Sequence, residues 1–61
     1  MAVTVTITES LPTTILCGVT GNEDKNINQS EVLYYKTSES QTDEEARIAL
    51  QTMIENNEEP K

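Results

Sequence analysis

The chain is expected to fold as α+β, with a small three-stranded antiparallel sheet in the order β-β-β-α and one C-terminal helix packed on one face. Three observations carry that expectation. An N-terminal segment alternates β-branched apolar residues with threonine, and two further strand-like runs follow it. A capping-box sequence then opens a stretch whose apolar residues recur at helical spacing.

In the first segment Val3, Val5 and Ile7 alternate with Thr4, Thr6 and Thr8, so a strand over Ala2–Thr8 has one apolar face and one threonine face. Glu9-Ser10-Leu11-Pro12 interrupts it, because Pro12 fixes its own φ and holds Leu11 in extended backbone. A second strand over about Thr13–Thr20 puts Ile15, Cys17 and Val19 on one face and Thr14, Leu16, Gly18 and Thr20 on the other. The short connection suggests a hairpin. Gly21–Ser30 has the composition of a loop, with Ile27 its only large apolar residue. The third strand spans Glu31–Thr37 and is apolar on both faces, so either Val32 and Tyr34 or Leu33 and Tyr35 point to the core. The favoured facing turns Leu33 and Tyr35 inward, leaving Val32, Tyr34 and Lys36 on the solvent side.

Thr42-Asp43-Glu44-Glu45 reads as the helix start, with Thr42 as N-cap and Glu45 reaching back to its amide. Three acids in the first turn complement the helix dipole. From Asp43 to about Asn56, Ala46, Ala49, Leu50, Met53 and Ile54 fall on one arc that faces the sheet. Asp43 and Arg47 are placed to pair four residues apart, and Asn56-Asn57 supplies a left-handed stop. Residues 1–57 are read as one domain and 58–61 as a flexible acidic tail.

Sixty-one residues make at most one small core, which a single cysteine cannot staple. With no histidine, a structural zinc site has few ligands to draw on. Self-association is the remaining support, so a homodimer is expected. The net charge of −7 is concentrated in residues 31–61, which hold eight acids and three bases. Phosphate backbones and anionic lipid repel such a chain, so neither direct nucleic-acid binding nor a membrane role is expected. The alternating N-terminal segment lacks the form of a signal peptide, and one thiol suits a reducing cytoplasm.

No constellation of residues supports catalysis, a cofactor or a metal. Asp24-Lys25-Asn26-Ile27-Asn28 starts like a calcium loop, but Gln29 and Tyr35 stand where glycine and a bidentate glutamate are required. Cys17, between Ile15 and Val19 with no histidine to activate it, reads as core. Binding is the remaining function. Ile48 lies opposite the apolar arc, beside Glu44, Gln51, Thr52 and Glu55. Those five residues and the outward Tyr34 form the expected partner-binding set.

Small size, acidity and lack of chemical machinery make the chain similar in kind to phage-encoded inhibitors of host defence proteins, the anti-CRISPR class among them. The likeness rests on no aligned motif. It implies a non-enzymatic module that blocks a site on a larger host protein, one with a basic surface if the carboxylates mimic phosphates. The alternative is an accessory subunit whose open sheet face is permanently buried in an assembly.

Overall fold

A computed structural model of the chain describes residues 2–57. Strands β1 (Thr4–Ser10), β2 (Thr14–Thr20) and β3 (Glu31–Tyr35) form one antiparallel sheet in the order β1-β2-β3, followed by helix α1 (Asp43–Glu55). This is the α+β architecture expected. The helix lies chiefly over β1 and β2. The acidic tail, 58–61, lies outside the described residues.

The hairpin between β1 and β2 is as short as Pro12 suggested. Leu11 N–H donates to Thr14 O at 2.9 Å, which closes a turn around Pro12-Thr13. Pairing begins at Thr4↔Thr20 and stays in phase to Ile7↔Cys17, then shifts by one so that Glu9 faces Leu16. Thr8 is the extra residue of this β-bulge, and its hydroxyl donates to Leu16 O at 3.0 Å. The shift also turns Ser10 to the helix side, opposite Ile15.

Val3, Val5, Ile15, Cys17 and Val19 line the sheet's inner face and meet Ala46, Leu50 and Ile54 of the helix. Ile7, Val32, Ala49 and Met53 pack around them. The loop from 21 to 30 closes one end. Asn22 is 2% exposed, and its Nδ2 donates to the carbonyls of Ile27 and Gln29, each at 2.9 Å. Those two bonds fold the loop around its own amide and seat Ile27 in the core. Gly21 enters the loop at φ +80°, where a Cβ would lie 2.4 Å from Ala2 O.

The facing of β3 is the reverse of that expected. Ile15 pairs with Tyr34 and Cys17 with Val32, so the core residues of β2 carry those two inward with them. Tyr34 is buried at 5%, whereas Leu33 and Tyr35 are 44% and 65% exposed. Lys36 therefore lies on the helix side, with 8% of its side chain exposed and Nζ 2.7 Å from Asp43 Oδ1. That contact makes the inward lysine tolerable, because its charge meets a carboxylate at the helix N-terminus while its stem packs beneath.

The helix begins as its capping box dictates. Thr42 Oγ1 accepts from Glu45 N–H at 3.1 Å, and Glu45 Oε1 accepts from Thr42 N–H at 2.9 Å. Past Glu55 and the C-cap Asn56, Asn57 takes a φ of 58°, which breaks the right-handed turn. Asn57 also accepts from Asn26 N–H through Oδ1 at 3.1 Å, tying the loop to the helix end. The expected Asp43–Arg47 pair does not form. Asp43 is taken by Lys36 and by Ser10, whose hydroxyl donates to Oδ2 at 2.6 Å. Arg47 instead forks onto Glu44, with Nε–Oε1 at 2.9 Å and Nη2–Oε2 at 2.6 Å.

Candidate interaction surface

Two surfaces are left over once the core is built. On the outer helix face, Ile48 is half exposed and Glu44, Thr52 and Glu55 are exposed, while Gln51 is partly covered. These five share one face, as the helical spacing requires. Two of them are already engaged: Glu44 holds Arg47, and Arg47 Nη1 donates to Gln51 Oε1 at 3.0 Å. The local network is therefore partly neutral, and Ile48 is its one large apolar side chain. The sixth expected residue, Tyr34, does not belong to any exposed surface, since it packs in the core.

The open sheet face is the more apolar of the two. Leu16 and Leu33 are direct cross-strand partners on it, and Tyr35 lies one step along β3, opposite Thr14. Leu11, 45% exposed, sits in the turn at that same end of the sheet. Of the large apolar residues exposed among those described, only Ile48 lies elsewhere. The threonines 4, 6 and 8 of β1 flank the strip and are exposed. Glu9 and Glu31 stand at diagonal corners of the face, which carries no basic side chain among the described residues.

Sequence reasoning put the five helix residues on one outer face, where they lie, and turned Leu33 and Tyr35 inward, where they do not. The available signal was Lys36: a lysine in phase with Val32 and Tyr34 can face inward when an acid stands in the first turn of the helix packed across from it.

Electrostatics explain the structural acids of the first helical turn. Hydrogen bonds from Lys36 and then Ser10 hold the Asp43 carboxyl below its usual range. The Arg47 fork does the same for Glu44, and the Thr42 backbone N–H, then its hydroxyl, for Glu45. Burial pushes the Cys17 thiol up, against a smaller opposing pull from Arg47. Cys17 has no exposed surface, so its thiol is both protonated and out of reach. Among the described residues, no group of three or more cysteine, aspartate or glutamate side chains is placed to hold a metal ion. No helix there is long and apolar enough to cross a membrane.

No protein-family model matches the chain, and neither a curated protein nor a solved structure does.

Proposed function

We propose that this chain is a non-enzymatic protein-binding module that occupies a site on a larger partner with its open sheet face. One observation carries the reading. Leu33 and Tyr35 are exposed side by side with Leu16 on a face that the core does not use. A strip of leucines and a tyrosine flanked by threonine has the composition of an interface centre beside a polar rim. The two corner acids, with no cation beside them among the described residues, suit a partner that brings lysine or arginine to that rim. An inhibitor that blocks a site on a host protein from the cytoplasm, as a phage product would, acts in this way.

The core closes between the inner sheet face, the helix and the loop without help from the open face. That favours a free module, folded alone, over an accessory subunit that needs its assembly to fold.

The test compares variants of the two surfaces. The partner is isolated from the native host and purified, and its affinity is measured for the wild-type chain, Tyr35→Ser, Leu33→Ser and Ile48→Lys. A tyrosine at the centre of an interface contributes about 2 kcal/mol or more, so Tyr35→Ser should weaken binding by about 30-fold. Ile48→Lys should change it little. The opposite pattern refutes the assignment and returns the site to the helix. A chain that is unfolded until the partner is added establishes the accessory subunit instead.

A further inference from the structure

The free edge of β3 has a phase that the ladder defines. Lys36 N–H donates to Thr13 O and Val19 N–H donates to Ser30 O, and both couples are directly opposite one another in the β2–β3 register. Antiparallel ladders alternate bonded and non-bonded pairs, so Tyr34 and Val32 turn their backbone groups toward β2. Glu31, Leu33 and Tyr35 therefore point their N–H and C=O groups away from the sheet. No strand covers them among the described residues. The same three residues carry their side chains on the open face. The other edge differs, because the bulge at Thr8 breaks its phase halfway along β1.

We propose that two copies of this chain join β3 to β3 across a two-fold axis at Leu33, making one continuous six-stranded antiparallel sheet. An antiparallel pairing centred there sets Leu33 against its own copy and Glu31 against Tyr35 of the other copy. Every outward backbone group of those three residues then finds a partner, about six hydrogen bonds in all. The two Leu33 side chains meet on the open face, and each Tyr35 lies beside a Glu31 of the other copy. On the opposite face, the half-buried Val32 lies across from the other copy's Tyr34, which extends the core through the junction.

Charge is the force that opposes a second copy, and the register limits it. The two Glu31 residues end four positions apart along the ladder, about 14 Å at the usual strand rise. That exceeds the Debye length of about 8 Å at physiological ionic strength. The helix does not obstruct, since it lies over β1 and β2.

The pairing shares the side chains of Leu33 and Tyr35 with the docking face but is made by the backbone edge of β3, and its test contains only the chain. Sedimentation equilibrium from about 1 to 500 μM gives the association state. Hydrogen exchange read residue by residue gives the interface. The expected result is a dimer in which the amides of Glu31, Leu33 and Tyr35 become protected as concentration rises. Leu33→Lys, which sets two lysines about 5.5 Å apart, should give a monomer with an unchanged melting curve at low concentration. Leu33→Pro removes an N–H that no internal bond uses, and is expected to give a folded monomer as well. Ile48→Lys should leave the dimer intact. A wild-type monomer with fast exchange at Leu33 and Tyr35 throughout the range overturns the proposal. So does a dimer that survives Leu33→Lys, or one whose concentration-dependent protection falls on β1.

Discussion

Replacing Asn22 with aspartate changes one atom and reverses its chemistry. The amide Nδ2 donates to the carbonyls of Ile27 and Gln29, and an ionised carboxylate in its place has nothing to donate. Two carbonyl oxygens would then face a negative charge at a site 2% exposed. Leaving a buried polar group unsatisfied costs about 1–3 kcal/mol, and two carbonyls plus the charge place Asn22→Asp at about 3 kcal/mol or more at pH 7. A domain of this length has a total stability of about 3–9 kcal/mol, so the variant loses a large part of it. For so short a chain each kcal/mol shifts the melting temperature by about 8 °C, which predicts a fall of about 20 °C or more. Acid should reverse part of the loss. The carboxyl's folded pKa is raised above its unfolded value, so the neutral form favours folding. The penalty relative to wild type shrinks as pH falls through the folded pKa. Thermal melts by circular dichroism at pH 7 and pH 4.5, wild type beside variant, measure both. A variant that melts within a few degrees of wild type at pH 7, or a difference that does not narrow in acid, refutes the role given to Asn22.

Two further outcomes follow from other named groups. The carboxyls of Asp43, Glu44 and Glu45 are held below their ordinary values of 3.8, 4.5 and 4.5, so their contribution to stability is complete above those values and is lost as pH falls through the folded ones. Stability should drop in that acid window, and Asp43→Asn should flatten the dependence; a curve with the same slope in wild type and variant counts against the Lys36–Asp43–Ser10 cluster. Cys17 should react with an aromatic disulfide reagent only when the fold opens, because it is fully buried and its thiol is held protonated. Labelling as fast as in the denatured chain contradicts that burial.

Local chemistry made most of this fold legible. Alternation at Val3, Val5 and Ile7, the proline turn and the Thr42 capping box each act within a few residues, and each placed its element within about two positions. The facing of β3 was not legible for the same reason in reverse. Val-Leu-Tyr-Tyr is apolar on both faces, so periodicity alone assigns neither, and the choice is made by distant partners: Ile15 and Cys17 across the ladder, and Asp43 across the core. The error moved the candidate surface by one residue, from Tyr34 to Leu33 and Tyr35. Asn22 was hidden in a similar way. Its loop composition signalled a turn, but only the folded loop brings the Ile27 and Gln29 carbonyls to its amide.

The inserted threonine in β1 also bears on how far assembly can go. A sheet with two regular edges can add copies at both and has no reason to stop, which is the geometry of a filament. Thr8 spoils one edge and leaves the other flat. If copies pair through β3, the products present only bulged outer strands, and growth ends at two. In such an assembly, one residue out of register is what separates a closed pair from an open-ended polymer.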